Sequence, residues 1–589
     1  MSTTTTTTSN DFFKSTVLGH PSGLFVLFFT EMWERFSFYG MRVLLINFLT
    51  MSILDETNPG WGWSAENAGA LYGTYALLLY ITPIFGGIIA DRYIGYRWAV
   101  VIGSVIMTLG HASMALDTPA TLYAGLGLLV IGTGFFKPNM TSILSEMYKS
   151  VPEKKDGAYT IFYMGVNAGA FFGMMLCGYL AEKVGWSYGF GLAGVFMLFG
   201  TLQFWLAKPL FGTVGEVPSK AKRLADEEAA KTSVNAEDKR NPFTLIDKIL
   251  IIITTLGGLL YAFNDPLSKI GNINMLPFEV NGLSGQNVVV LISLILFLIL
   301  VTWRMIRYTN VVRDRMIAVV IFAFFTVFFW MSFEQGASSL VIFARDNVDR
   351  TLAGNSLIIF NIVNSLLTLV PLSIITWVLI LLAKQTGKTI PMSNVVLAIC
   401  FLGVWAVAGW MLYQYLTAES SEITVSWFSI LNSFFIIALA STVSKLWDSK
   451  YNPSAAVKYG LGLIIMAIGF GLLAFGSYGI TAGVKVSMVW LVLAYLFHTL
   501  GELFVSPVGL SYVSKLVPGR MIAFMFGMWY LAIAIGNKLA AILGGQIENI
   551  TKEYSLSTFF LIFTIVPIVA GLIVMVLNPL LKKLMHKVH

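Results

Sequence analysis

The chain has 589 residues, of which 57% are hydrophobic and only 12% charged, about half the roughly 25% usual for a soluble domain. A soluble fold with so few charges could not cover its surface, so soluble enzymes, nucleic-acid binders and secreted disulfide scaffolds are excluded. The net charge of +7 is what a polytopic membrane protein uses for orientation, and the mean hydropathy of +0.77 agrees.

The start, MSTTTTTTSNDFFK, is a polar Ser/Thr tract without a basic stretch leading into an apolar core. It reads as a disordered tail over residues 1–21, not as a signal peptide. A bilayer core of about 30 Å needs about 20 apolar residues per helix, and sixteen stretches qualify. Six come first, at 22–50, 64–90, 97–116, 119–145, 157–181 and 187–207. Segment 208–243 interrupts with KAKRLADEEAAKTSVNAEDKR, whose mixed charges predict a solvated linker. Ten follow, at 245–264, 286–306, 315–341, 355–383, 390–416, 421–445, 456–480, 486–513, 520–544 and 556–580. With the N-terminus cytoplasmic, only Lys183, Lys269, Arg345, Arg350, Lys485 and Lys552 fall on the far side, and Arg35, Arg42, Lys137 and Lys538 lie within spans. The remaining Lys and Arg gather on one side, which predicts both termini in the cytoplasm. The two cysteines, Cys177 and Cys400, sit in apolar runs and offer neither a disulfide framework nor a metal cluster.

Some spans carry charges that lipid would not tolerate. The first reads GLFVLFFTEMWERFSFYGMRVLLINFL. A central charge costs roughly 2.5–3.5 kcal/mol on insertion scales, whereas each Leu or Phe returns only about 0.3–0.6. Positions 31, 34, 35, 38 and 42 share one helical face about 16 Å long. That face must meet a wet cavity or protein partners; structural ion pairs between helices are the plainer alternative. Lys137, Glu334 and Glu502 are lone charges near mid-depth in three other spans. They are expected to pair with the first span or to line the same cavity, with Lys137 as counter-charge to Glu31 or Glu34. A cavity carrying both signs suits an elongated zwitterion. Lys538 lies near a span end, where snorkelling explains it at least as well. His498 reads as a packed histidine rather than a relay. For Glu146 and Lys515, near helix ends, gate pairs and ordinary interface charges look alike.

Several motifs carry a resemblance. GGIIADRYIGYRW, residues 86–98, resembles the loop motif of the major facilitator superfamily. Glu31-Met-Trp-Glu34-Arg35-Phe36 is similar to the ExxERF signature of the proton-dependent oligopeptide transporters, bacterial type. Residues 86–98 and FYMGVNAGAFFG, 162–173, resemble that family's two long signatures, and FEQGASSL, 333–340, and GELFVSPVGLSYVSKLVP, 501–518, its C-terminal half.

The resemblance implies an all-α membrane protein with two six-helix bundles. These would be 22–207 and 307–589, with an inserted hairpin at 244–306 and an unusual second two-helix insertion at about 350–418. It implies a symporter, not an enzyme, that imports di- and tripeptides by alternating access, as a monomer in the bacterial inner membrane. Protons would be the coupling ion, with no cofactor, metal or nucleic-acid partner. Proton coupling is carried over to Glu31, Glu34, Arg35, Lys137, Glu334 and Arg42. Peptide binding is carried over to Arg35, Arg42 and Lys137 for the carboxylate, and to Glu502 for the amine, with Asn167 and Asn432. Asn432, in WFSILNSFF, is preferred to Asn364, in the weaker look-alike FNIVNSLL. Glu334 would also touch the site. Tyr39, Tyr75, Trp330 and Trp529 match pocket aromatics, although ordinary span packing accounts for each equally well. One departure stands out: Phe38 replaces the family's usual tyrosine. The second insertion adds an even number of crossings, so later helices keep their orientation; a lipid-side appendage or oligomer contact is its expected role. No metal spacing, nucleophile elbow or phosphate loop supports a membrane enzyme.

Overall fold

The computed structural model describes residues 14–149, 151–217, 241–447, 449–480, 483–516 and 522–586. Sixteen long helices run through them, one for each predicted span. The first eight are α1 Ser22–Thr50, α2 Ala65–Ile89, α3 Tyr96–Met114, α4 Pro119–Met147, α5 Lys155–Lys183, α6 Trp186–Leu206, α7 Leu245–Ile270 and α8 Gly285–Ile306. Then come α9 Asn310–Phe333, α10 Gly354–Thr386, α11 Pro391–Thr417, α12 Val425–Trp447, α13 Ala455–Gly476, α14 Met488–Leu516, α15 Ile522–Gly544 and α16 Leu556–Val576. Helices satisfy every backbone group internally, which hydrocarbon demands. Fourteen of these spans are apolar and long enough to cross a membrane. The other two are α1, with its four charges, and α3, with Tyr96, Arg97 and His111.

Contacts divide the chain into two units. The first comprises Met1–Trp61, Ile81–Ser219 and Val348–Phe434. The second comprises Gly62–Tyr80, Lys220–Asn347 and Phe435–His589. The chain therefore passes between units inside α2 and inside α12.

Within the first unit, α1 packs against α5 and α6, and α3 against α4. Gly165, Gly169 and Gly173 recur every fourth residue along α5. A Cβ on each would run into the carbonyl oxygens of Phe28, Met32 and Phe36, respectively. Small residues at that spacing let two helix backbones approach closely. The second insertion, α10 and α11, clusters here, together with the start of α12. Phe401 of α11 meets Phe29 and Trp33 edge-on, at ring-centre distances of 5.6 and 5.5 Å. Ser393 donates to the Gln203 carbonyl at 2.8 Å, and Tyr179 meets Trp410 at 5.5 Å. The chain returns into α12 over Glu182, whose carboxylate accepts from the Val425 and Ser426 amides at 2.8 and 3.0 Å. These are orphan donors of a helix N-terminus.

Two segments read as unstructured are folded in part. Residues 14–21, assigned to the tail, contain a hairpin pairing Thr16–Val17 with His20–Pro21. Its turn places Leu18 and Gly19 at positive φ. Residues 208–217, assigned to the linker, bury Phe211 and Val214. Arg97 fastens them by donating to the Gly212 carbonyl at 2.7 Å and pairing with Glu216 at 2.5 Å. Glu146 accepts from the Gly215 amide at 3.0 Å, so it braces a loop. Of the remainder, residues 1–13 and 218–240 lie outside the described residues, whereas 241–243 are described and form no helix or strand.

Within the second unit, α13 packs on α14 and α16, α9 on α15, and α7 on α8. The 244–306 hairpin belongs to this unit. Only Asp247, Ala262, Asn264 and Asp265 of α7 are buried, while Ile246, Ile249, Ile252 and Leu256 are exposed, as a lipid-facing helix requires. At its start Thr244 and Asp247 form a capping box. The Asp247 carboxylate also takes Arg304 at 3.0 Å and Arg307 at 2.6 Å. Replacing Asp247 by Ala is expected to cost the hairpin about 3–5 kcal/mol, because buried Arg304 loses its counter-charge. Protease cleavage within 271–284 should accelerate accordingly, and unchanged cleavage would refute the estimate.

Candidate functional site

Three of the four expected charges of α1, Glu31, Glu34 and Arg35, are buried in the first unit, the two acids set around Arg35, while Arg42 is half-buried. The Arg35 Nε–H points to Glu31 Oε1 at 2.9 Å, one helical turn away. The same nitrogen lies 2.6 Å from Glu34 Oε2, but neither oxygen of Glu34 accepts a hydrogen bond among the described residues. A fully buried carboxyl without a donor is rare and calls for explanation. Lys137, half-buried on α4, interacts electrostatically with Glu31, Glu34, Arg35 and Arg42. The predicted partnership of Lys137 with the first span is therefore present as a charge cluster. On the other flank Trp33 stacks on Phe196 at 5.1 Å.

All of α1 is buried except Phe38, Tyr39 and Arg42. These three form its accessible face. Arg35 lies over the Phe38 ring at 5.4 Å, and Arg42 over Tyr39 at 5.7 Å. Phe38 and Tyr39 meet edge-on at 5.0 Å. Phe38, which lacks the hydroxyl, thus lies between the Arg35 guanidinium and the Tyr39 ring. Asn167 is buried on α5, its side chain donating to the Tyr163 carbonyl at 3.0 Å. Asn432 is half-buried on α12. The rejected alternative, Asn364, is taken up by packing: its side-chain oxygen accepts from Trp427 Nε1 at 3.2 Å.

The second unit holds the remaining candidates. The α9 helix stops at Phe333, and a 3-10 turn, Glu334–Ala337, precedes a short helix at Ser339–Asp346. Glu334 is buried at that break. Tight turns inside long helices are frequent at functional positions. Gln335 holds the break in place by donating to the Met331 and Ala540 carbonyls, both at 3.0 Å. Trp330 stands one turn before Glu334, and Gly536 of α15 packs on its Cβ. Trp529 is buried on α15, Glu502 is half-buried on α14, and Tyr75 is buried on α2.

His498 is buried against Phe470 with ring centres 4.2 Å apart, the packed arrangement expected. Lys538 does not snorkel. It is 3% exposed, and its Nζ lies 2.5 Å from Asp265 Oδ2. Asp265 was missed because the span was ended at residue 264, whereas the helix runs to Ile270.

Known proteins resemble the chain along nearly its whole length. It is 28% identical to the peptide transporter YePEPT of Yersinia enterocolitica, covering 97% of this chain and 96% of that one. It is 30% identical to the uncharacterized transporter YclF of Bacillus subtilis over the same shares. Among solved structures, a glutamate-to-glutamine mutant of a peptide transporter POT in complex with alafosfalin superposes with a TM-score of 0.69 at 26% identity, covering 98% of both chains. That likeness gives the major facilitator fold. With residues 97–396 and 411–562 matching the family profile described as PTR2, the POT family, the chain belongs to the POT family of peptide transporters.

Proposed function

We propose that the protein is a proton-coupled symporter that imports di- and tripeptides by alternating access across the bacterial inner membrane, with both termini in the cytoplasm. The observation that carries this reading is the buried Glu31–Arg35–Glu34 set, with Lys137 in its field, in which Glu34 accepts no hydrogen bond among the described residues. A proton arriving at Glu34 removes one negative charge from a cluster of two acids and three bases. It thereby changes how firmly Arg35, Arg42 and Lys137 are held. Those cations receive the peptide carboxylate, and Glu502 receives the amine, aided by Asn167 and Asn432. Glu334 is a second protonation point. Tyr39, Tyr75, Trp330 and Trp529 shape the peptide's surroundings. The carrier works as a monomer and needs no cofactor.

The test is uptake into proteoliposomes under an imposed proton gradient, with a labelled panel of small peptides, nitrate and amines, and dialanine as competitor. Saturable peptide uptake that collapses with the gradient supports the reading. Transport of the other solutes, indifferent to dialanine, overturns it.

Phe38 offers a finer check. Phe38→Tyr supplies a hydroxyl beside Arg35 and Tyr39, and one hydrogen bond is worth about 0.5–1.5 kcal/mol. KM for dialanine should fall about two- to tenfold while maximal velocity holds. An unchanged KM would place position 38 outside the peptide's reach.

A further inference from the structure

Beyond the site, the second unit contains a chain of alternating charges, buried at one end. Lys538 of α15 meets Asp265 of α7 at 2.5 Å. Asp265 meets Lys269 at 3.2 Å, and Lys269 meets Glu66, at the start of α2, at 3.1 Å. Exposure rises outward, from 3% at Lys538 and 1% at Asp265 to 27% at Lys269 and 38% at Glu66. Lys538 also donates to Thr74 Oγ1 at 3.1 Å and to the Ala70 carbonyl at 3.3 Å. Thr74 in turn donates to the Ala262 carbonyl of α7 at 2.7 Å. Gln286 of α8 completes the shell of Asp265 at 3.3 Å. Three helices far apart in sequence thus share one ionic knot.

The α2–α15 seam beneath it is close. A Cβ on Gly69 would strike the Ala541 carbonyl, and one on Gly73 the Ala541 methyl and the Lys538 stem. The half of α2 held here ends at Tyr80, where the chain passes into the other unit. Pro83 follows closely; it removes the N–H that would reach residue 79 and weakens the helix there. Beyond it, Thr82 donates to the Val130 carbonyl of α4 at 3.0 Å. The two ends of α2 are therefore fastened to different partners on either side of a soft point.

We infer that Asp265 is a latch by which the inserted hairpin holds the first half of α2 on α15, and that its release and re-formation is a step of the transport cycle. The inference rests on the carrier reading above. Asp265 and Lys538 act here as positioning residues. With the latch closed, Lys538 has a counter-charge; with the seam open, water can serve it instead. Removing Asp265 therefore penalises only the closed seam.

The test places a reporter cysteine at Ala541 and measures labelling by a membrane-impermeant maleimide in proteoliposomes, with Cys177 and Cys400 buried and the parent as background. Asp265→Asn is expected to raise basal labelling at least about tenfold and lower maximal uptake velocity by a similar factor, with KM unchanged. Parental labelling in the Asp265→Asn protein would overturn the latch, even if that protein were less thermostable. The Asp265→Leu, Lys538→Met double variant restores an uncharged, packed seam and guards against a folding failure of the single variant. It should label at the parental rate yet transport slowly; full recovery of velocity would show that the ions serve packing alone. Basal labelling needs no peptide, so a chain that transports no peptide would fail the carrier reading separately.

Discussion

Replacing Glu34 by Gln is expected to abolish uphill peptide uptake and leave exchange of peptide across the membrane intact. Gln keeps the shape of the side chain but cannot gain or lose the proton. The consequence is large because the proton is the whole driving force. A membrane potential of 100 mV supplies about 2.3 kcal/mol per inward charge, and one pH unit about 1.4 kcal/mol. Together they sustain accumulation on the order of a few hundredfold at one proton per peptide. Without coupling, the internal-to-external ratio falls to about one by the same relation. Lys137→Ala should behave alike, because the charge that Glu34 releases or recaptures on titration is then missing. Counterflow needs no net proton movement, so preloaded liposomes should still exchange labelled for unlabelled peptide. Gradient-driven accumulation by either variant at the parental level would remove that residue from the coupling machinery.

Gly169→Leu should strongly destabilise the folded protein. The Gly165, Gly169 and Gly173 row brings the α5 backbone against the carbonyls of α1, and at Gly169 the obstacles are the Met32 carbonyl and the Arg35 Cβ. Backbone cannot step aside as a side-chain tip can. A leucine must push the two helices apart along the turn that carries Glu34 and Arg35. Overpacking commonly costs about 1–3 kcal/mol, and a clash with the Met32 backbone already at the Cβ belongs at the top of that range. Gly127 is the control, since a Cβ there meets nothing within 4 Å. Gly127→Ala should hold or raise stability by up to about 1 kcal/mol. Thermal unfolding in detergent separates the two, and a Gly169→Leu protein melting with the parent would refute the close-packing account.

The sixteen helices were legible because hydrocarbon imposes a length and forbids unpaired backbone, so apolar runs mark the spans directly. The α1 charges were legible as a group because lipid would make each expensive, and the helical repeat put them on one face. What α1 could not announce was its neighbour: nothing in FYMGVNAGAFFG says whose carbonyls its glycines approach. The packing of α10 and α11 on α6 and α5 was hidden for the same reason. Their apolar surfaces fit lipid and protein equally well, and only contacts such as Phe401 with Trp33 decide. Lys538 was misjudged through a boundary. Ending α7 one residue before Asp265 removed its partner from view, and an unpaired lysine near a span end invites a solvent explanation. The break at Glu334 was invisible because the surrounding residues continue a helical pattern without Pro.

The position of α11 has one more consequence. By covering Phe29 and Trp33 it replaces fatty-acid tails on the flank of the helix that bears Glu34, so that flank is walled by residues whose shape does not vary with growth temperature or diet. Cells that remodel their phospholipids would leave this side of the charge cluster in an unaltered dielectric.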